Sequence, residues 1–414
     1  MRVLLRTLGC RANHYDSETV RAMLLAAGHE LADAPADADL AVFNSCAVTA
    51  DAEADLRQQV RRAARENPAL ESVVMGCAAA LPSSGALAAL PGVRAVLPGA
   101  DFAGVAAALE LPPAVLGTAP ASQAGTRALL RVQDGCDEHC TFCATTIARG
   151  ASRSRDADAL VDEARALAER HPEIVLTGIH IGGYGADIGL SLGRLVERLV
   201  DQVPRARFRL SSVEATEVCD RIAALMQAAP DRLAPHLHAP LQSGADGVLR
   251  RMGRHWYTAA SYRAAVERLA ADLPVFGLGA DVIAGFPGET EADHAATLAL
   301  VEALPFTYLH VFPYSPRPGT AATRLPGAVS PEVARRRARE LRESGARKAE
   351  AHRHRRDGGL ADVVWEGGVE RRAGLTEDYL AALPPERPPA RGERTVSRLR
   401  RAGDTMIAEP AAAG

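Results

Sequence analysis

The run Gly135-Cys136-Asp137-Glu138-His139-Cys140-Thr141-Phe142-Cys143 carries three cysteines at CxxxCxxC spacing. A loop of that length suits one iron-sulfur cube, whose irons take thiolate ligands. Three local cysteines hold three irons and leave the fourth open to a ligand that is not protein. A zinc loop, or a redox cluster completed by a distant fourth ligand, is the alternative for so short a pattern. Three more cysteines stand apart at Cys10, Cys46 and Cys77, each directly after a small residue in Gly9-Cys10, Ser45-Cys46 and Gly76-Cys77. If they meet, their thiolates make a second three-cysteine site with one open iron. If they do not, they are ordinary buried cysteines, a residue type often found inside. The seventh, Cys219, has no cysteine neighbour and reads as a structural thiol.

The elements around the scattered cysteines favour a meeting. Residues 2–8 form a nearly unbroken apolar run, as in a strand buried on both faces. A helix should follow, capped by Asp16 or Ser17, with Val20, Met23, Leu24 and Ala27 at helical spacing and Gly28 closing it. A strand at 40–44, a helix from about 51 to 66 and a strand at 72–75 repeat the pattern, so each strand is followed at once by one of the cysteines. In a parallel α/β sheet the strand C-termini share one edge, where ligands bind, and Cys10, Cys46 and Cys77 are expected to converge there. A strand at 93–97 and a helix at 101–109 complete an open parallel sheet over residues 1–112. Residues 113–126, rich in Pro, Gly, Ala and Ser, read as a linker.

Six strand candidates follow, at 128–132, 173–177, 206–210, 236–241, 275–283 and 307–312, separated by helical stretches. Alternation of this kind implies a parallel sheet. Six units are too few to close an eight-stranded barrel, so a partial, open-sided (β/α)6 barrel is expected over 127–350, with its chemistry just after the strands. Gly178 to Gly185 follow the second strand, Ser211-Ser212-Val213-Glu214 the third, Gln242-Ser243-Gly244 the fourth and Gly285-Phe286-Pro287-Gly288-Glu289-Thr290 the fifth. Gly182, Gly183 and Gly285 serve either turn geometry or close approach of backbone to a cofactor. Glu214 is either a helix-capping acid or a carboxylate for a cofactor hydroxyl or amine. His180, His236 and His238 read as core or surface histidines before they read as ligands. Arg149, Arg153 and Arg155 offer contacts to phosphate or are plain surface charge. The arginine-rich stretch 335–356, interspersed with Glu332, Glu340, Glu343 and Glu350, reads first as a solvated, salt-bridged helix, with a phosphate-tracking face as the rival.

The totals describe an ordinary globular chain of 414 residues, 47% hydrophobic and 24% charged. A net charge of −3 gives no global sign of a nucleic-acid partner. MRVLLRTLGC reads as a strand and not a secretion signal, and no apolar run approaches the ~18 residues that span a bilayer. A cytoplasmic location and no membrane partner are expected. In a reducing compartment, seven cysteines point to metal binding or chemistry before disulfides.

With Phe142 just before its last cysteine, the CxxxCxxC loop resembles that of the radical S-adenosylmethionine (SAM) enzymes. That resemblance implies that SAM chelates the open iron and is cleaved by one electron to a 5′-deoxyadenosyl radical. It also implies a cofactor pocket that includes Phe142, Gly178, Gly182, Glu214, Gln242 and Gly285. Over nearly the whole chain the sequence resembles the methylthiotransferases. The marks are Thr7-Leu8-Gly9-Cys10, Phe43-Asn44-Ser45-Cys46, Gly76-Cys77, Gln133-Asp134-Gly135-Cys136, Ala148-Arg149-Gly150, Leu241-Gln242-Ser243-Gly244 and Gly285-Phe286-Pro287-Gly288-Glu289-Thr290. Leu176 to His180, Arg209 to Glu214 and Leu309 to Arg317 look like the MtaB-type branch. Ala144-Thr145-Thr146 and Ala239 depart from the usual pattern.

The resemblance implies two [4Fe–4S] clusters, on Cys136/Cys140/Cys143 and on Cys10/Cys46/Cys77, and SAM as radical source and methyl donor. The implied reaction adds a methylthio group to carbon two of threonylcarbamoyl-adenosine beside the tRNA anticodon. An isopentenyl-adenosine tRNA or a ribosomal-protein aspartate is the alternative substrate. A non-enzymatic iron-sulfur carrier is the reading of another class. The partners implied are the tRNA anticodon loop, contacted by Arg149, Arg153 and Arg155, an electron donor and a sulfur donor, with the chain itself a monomer. Residues 361–366 and 374–380 resemble pieces of a TRAM domain, a small RNA-binding β-barrel, expected over 351–414, although 384–391 is Pro- and Arg-rich and departs from it.

Overall fold

Strand β1 (Arg2–Thr7) lies between β2 (Glu30–Ala32) and β3 (Leu40–Ser45), and β4 (Glu71–Gly76) and β5 (Val93–Pro98) continue an all-parallel sheet in the order β2-β1-β3-β4-β5. Alternate side chains of these strands enter two separate cores. Leu4, Ala41, Phe43 and Val74 meet Leu56, Val60 and Ala63 of helix α2 (Ala50–Glu66). Val3, Val42, Val73 and Met75 meet Val20, Met23 and Leu24 of helix α1 (Arg11–Ala26). Covering on both faces explains why β3 is buried along its whole length. Short helices α3 (Gly85–Ala88) and α4 (Phe102–Ala108) flank β5. The computed structural model describes residues 1–47, 49–367, 373–385 and 388–411.

Helix α1 corrects one expectation. It starts five residues before Asp16, with Cys10 at its N-cap, and neither Asp16 nor Ser17 caps it. Both are buried inside the helix instead: the Ser17 hydroxyl accepts from Thr7 Oγ1 at 2.7 Å and from Asn44 Nδ2 at 3.0 Å, and Asp16 pairs with arginines. Strand β2 has no counterpart among the sequence expectations.

The chain forms two units. The first combines Met1–Ala124 with Arg131–Arg155 and Ser315–Arg324, so the cluster loop belongs with the five-stranded sheet. A two-stranded antiparallel neck, β7 (Gln133–Asp134) with β8 (Arg153–Ser154), closes the loop and helix α5 (Thr145–Arg149) into one excursion.

The second unit holds the barrel strands β6 (Ala128–Arg131), β9 (Glu173–Thr177), β10 (Arg207–Leu210), β11 (His236–His238), β12 (Gly277–Ala284) and β13 (Tyr308–Pro313). All six strand expectations are met within a few residues. They form two parallel three-stranded sheets, β6-β9-β10 and β11-β12-β13, joined through the Ser212–His238 bridge. At the barrel floor the buried Glu173 receives Arg207 Nε at 2.7 Å and Arg209 Nε at 2.8 Å, and Arg209 also donates to the carbonyls of Thr376 and Glu377 at 2.9 Å. Burial would raise the Glu173 carboxyl, but Arg209 and Arg207 hold it well below the usual range. Tyr379 stacks on His236 with ring centres 4.5 Å apart.

The segment that supplies Thr376 and Tyr379 belongs to a five-stranded antiparallel C-terminal sheet, in the order β16-β15-β14-β17-β18. Its strands are β14 (Leu360–Trp365), β15 (Gly374–Leu375), β16 (Ala381–Ala382), β17 (Arg394–Ala402) and β18 (Thr405–Pro410). Glu386 and Arg387, within the Pro- and Arg-rich stretch, lie outside the described residues. The basic stretch is the helix Pro331–Arg356, and its arginines are widely paired: Arg337 with Glu289 at 2.7 Å, Arg347 with Glu302 at 2.6 Å, Arg356 with Glu377 at 2.7 Å. Among the described residues no helix is long and apolar enough to cross a membrane.

Candidate active site

The register of the first sheet brings the scattered cysteines together. Ser45 pairs with Gly76 across β3 and β4, so Cys46 and Cys77 leave their strands side by side, and Thr7 pairs with Asn44, which starts the Cys10 turn at the same edge. Asn13, one turn into α1, sits among the sulfurs: its Oδ1 lies 3.8 Å from Cys10 Sγ and 3.7 Å from Cys77 Sγ. Its Nδ2 donates to the carbonyls of Leu8 at 3.1 Å and Ser45 at 2.7 Å, which locks the amide in place. Gly9, at φ +114°, presses on Cys46 so closely that an added Cβ would lie 2.7 Å from the Cys46 Cβ and 2.9 Å from its sulfur. Three thiols at one edge fit the donor set of a second cluster.

Arg149 enters this group from α5. Its Nε–H points at Cys77 Sγ at 3.4 Å, and Nη2 donates to Asn13 Oδ1 at 2.8 Å and to Asp16 Oδ2 at 2.6 Å. Arg131 takes the other Asp16 oxygen at 2.5 Å. Burial pushes the Cys77 thiol up to about 12, partly opposed by the neighbouring guanidinium. Burial also pushes the Asp16 carboxyl up, against the pull of Arg149 and Arg131. The expectation that Arg149 reaches phosphate is therefore corrected: its side chain is 1% exposed and its donors are engaged internally. Arg155 is half-buried and donates to Tyr15 Oη and the Arg131 carbonyl, each at 2.9 Å. Arg153 alone of the three stands out, its side chain 63% exposed.

The Cys136/Cys140/Cys143 loop is built differently. All three cysteines and Phe142 are half-exposed. The loop is pinned at its neck by the Cys136 N–H to the Gly150 carbonyl at 3.0 Å, and by Gln133 Nε2 to the Gly135 carbonyl at 2.6 Å and to Ser152 Oγ at 2.8 Å. Gly135 adopts φ +73°, and a Cβ there would come within 1.9 Å of the Ala151 carbonyl oxygen. Cys143 Sγ accepts the Thr145 N–H at 3.3 Å, at the start of α5. Behind the loop, the Thr141 carbonyl accepts from Ala322 N at 2.8 Å.

In the second unit the other expected cofactor residues do follow their strands, but packing explains several of them. A Cβ on Gly182 would strike the Glu217 carboxylate at 1.8 Å, and one on Gly285, at φ +78°, would meet the Ala334 Cβ at 2.4 Å. Gly178 directly follows β9 and is half-buried. Glu214 is buried, caps a short 3-10 turn through a capping box with Glu217, and is ion-paired with Arg254. Burial raises its carboxyl despite that arginine. Gln242 is held at φ +60°, a conformation costly for a residue with a side chain, and its buried Oε1 has no hydrogen-bond partner among the described residues. Such strain persists where the surroundings over-determine it, often at functional sites.

Sequence reasoning missed Asn13 and Asp16, although a Cys-x-x-Asn spacing on a first helical turn was there to be noticed. It also missed a partly exposed group on the barrel strands. Asp281 Oδ1 lies 3.1 Å from His238 Nε2 and 3.3 Å from His310 Nδ1, and His238 Nδ1 lies 3.1 Å from Tyr308 Oη. Burial would raise Asp281, but bonds from the two imidazoles hold it well below the carboxylate range. These three side chains are close enough to share a cation. Cys219 is exposed at the N-cap of the helix Asp220–Ala228, not inside a helix as its sequence neighbourhood suggested.

Two family descriptions match the chain: "Uncharacterized protein family UPF0004" over residues 2–98 and the radical SAM superfamily over residues 130–301. A threonylcarbamoyladenosine tRNA methylthiotransferase MtaB of Bacillus subtilis is 34% identical over 407 residues, spanning 92% of this chain and 90% of that protein. One of Thermotoga maritima is 35% identical, covering 82% of this chain and 81% of that one. A tRNA-2-methylthio-N(6)-dimethylallyladenosine synthase of Parafrankia is 36% identical, covering 90% and 79%. Among solved structures, the radical SAM methyltransferase TsrM of Kitasatospora setae shares the fold, with TM-score 0.56 at 16% identity over 78% of this chain and 77% of that one. Radical SAM membership implies one [4Fe–4S] cluster and SAM. Relatives this similar over nearly their full length identify the chain as a member of the radical SAM methylthiotransferase family, of MtaB type.

Proposed function

We propose that the chain is a tRNA methylthiotransferase that places a methylthio group on carbon two of threonylcarbamoyl-adenosine beside the anticodon. Two [4Fe–4S] clusters serve it, one on Cys136, Cys140 and Cys143 with SAM, the other on Cys10, Cys46 and Cys77. The observation that carries the two-centre reading is the approach of the Cys10 and Cys77 sulfurs to Asn13, with Cys46 packed against Gly9 beside them. The full-length similarity to named threonylcarbamoyladenosine enzymes supports the substrate.

Bound together, the clusters and SAM supply a hydrogen-abstracting radical, a sulfur and a methyl group. The chain's own residues provide the setting. For SAM, Phe142 is the candidate contact on the half-exposed loop, and Gly178, Gly182, Glu214, Gln242 and Gly285 are separate candidates at the barrel strand ends. In the convergent set Cys46 and Cys77 are buried, and Cys10 forms its exposed side. Holding both in one chain replaces a bimolecular encounter with a positioned one. The target base has to be unstacked, which costs least in a single-stranded loop. Arg153 and the C-terminal sheet, read as TRAM-like, are the candidate RNA contacts, and the reductant and sulfur donor are separate partners.

The second reading, a dimethylallyl-adenosine substrate, is supported by the similarity to the Parafrankia synthase. Nucleoside mass spectrometry on tRNA from a strain lacking the gene separates the two. Loss of methylthio-threonylcarbamoyl-adenosine alone is expected. Loss of only the methylthio-dimethylallyl nucleoside would replace the first reading with the second.

A further inference from the structure

Arg149 is a buried cation within hydrogen-bond reach of the cysteine set described above, and each of its nitrogens has a partner. Nη2 is held by Asn13 and Asp16, Nη1 reaches Asp134 at 3.5 Å, and Nε is directed at Cys77 Sγ at 3.4 Å. Burying an arginine and an aspartate rarely repays its desolvation cost in stability alone. A donor so completely oriented, with one N–H left for sulfur, is what a metal-site supporting residue needs. The cation also answers a local problem, since two of the three thiolates, Cys46 and Cys77, are buried where water screens their charge poorly.

We propose that Arg149 is a positioning residue of the Cys10/Cys46/Cys77 centre, which holds the Cys77 sulfur through Nε–H and compensates the thiolate charge, and so sets the reduction potential of the cluster there. This rests on the reading that these thiols carry a cluster. Hydrogen bonds to sulfur and nearby positive charge stabilise the reduced form of an iron-sulfur centre. Removing both therefore moves the potential in the negative direction. The carrier helix α5 begins at Thr145, bonded to Cys143 Sγ, so the same five residues tie the loop cysteines to the buried ones.

The test is a redox titration followed by electron paramagnetic resonance on anaerobically reconstituted full-length protein, with iron counting and the Cys140→Ala chain to assign the signals. Arg149→Met is compared with Arg149→Lys. The double variant Asp16→Asn/Arg149→Met covers misfolding, because it leaves no buried carboxylate facing an empty space. Expected is a more negative potential for the buried centre in both Met variants, partial recovery with Lys, and no change at the loop centre. Selective loss of the buried cluster, restored by Lys, also supports the role. Two full clusters with an unchanged potential in the double variant overturn it. Iron for one cluster in the unaltered protein would overturn the two-centre reading itself, and this inference with it, which is a different result from an unmoved potential.

Discussion

On the proposed reading, the two cysteine sets solve the same coordination problem by different means. Cys136, Cys140 and Cys143 are neighbours in sequence, half-exposed, and ordered by a two-stranded neck. Cys10, Cys46 and Cys77 come from three β-α units, and Cys46 and Cys77 are buried by a sheet covered on both faces. The loop has its ligand spacing written into the chain and depends little on the fold behind it. The convergent set exists only when the sheet has formed in register, and it brings a buried charge network with it. One site is open, as a centre that must admit a cofactor should be. The other is closed at Cys46 and Cys77 but opens to solvent at Cys10, so its burial is one-sided.

The largest effect expected from this contrast is on activity. Cys140→Ala should abolish 5′-deoxyadenosine formation from SAM and reductant, whereas Cys46→Ala should still form it while giving no methylthio product. Chromatography of both products from anaerobic reactions checks the split. Retained methylthio product in Cys46→Ala would erase the division of labour.

Next comes stability. Asp16→Ala strips the shared carboxylate from Arg149 and Arg131, and breaking a buried pair in this way costs roughly 3–5 kcal/mol. Denaturant unfolding should show it, while Cys140→Ala in the exposed loop should stay within about 0.5 kcal/mol of the parent. A smaller but more selective pair is Gly9→Ala and Gly135→Ala. Both add a Cβ at positive φ against fixed atoms, the Cys46 side chain in one case and the Ala151 carbonyl in the other, at about 1–3 kcal/mol each. Their iron losses should be reciprocal: Gly9→Ala loses the buried cluster and keeps the loop cluster, and Gly135→Ala does the reverse. Equal losses in both would mean that the two sites are not independent.

The contrast also explains what the sequence could reveal. The loop is legible as a motif, and the convergent set is legible because each cysteine follows a strand, which is a local pattern with one geometric consequence. Asp16 was misread for a physical reason. Near a helix start an aspartate favours capping on local grounds, while its actual partner Arg149 is 133 residues away. The same applies to Arg149, whose burial depends on Asp16 and Asn13, and to Gly182 and Gly285, whose need for a missing side chain comes from Glu217 and Ala334. Strands and helices followed from periodicity. Pairings of charge across the fold did not, because nothing local records them.

The smallest expected effect concerns Arg153, which sharpens the comparison because it stands four residues from Arg149 with the opposite exposure. Its side chain is 63% exposed, its nearest carboxylate is Asp134 at 3.9 Å, and it lines an open cavity of about 530 Å³ with Arg131, Arg149 and Arg155. An ion pair that long and that exposed contributes little, so Arg153→Ala should leave unfolding within about 0.5 kcal/mol of the parent and leave the iron count unchanged. If it meets an RNA phosphate, tRNA affinity should fall similarly for different tRNA sequences, and the slope of log affinity against log salt should flatten by about 1. Titrations of unmodified tRNA at several salt concentrations read both quantities. An unchanged slope would remove Arg153 from the RNA face and return that role to the C-terminal sheet, while a loss of iron would show that the exposed neck and the buried centre are coupled in a way their separate geometries do not require.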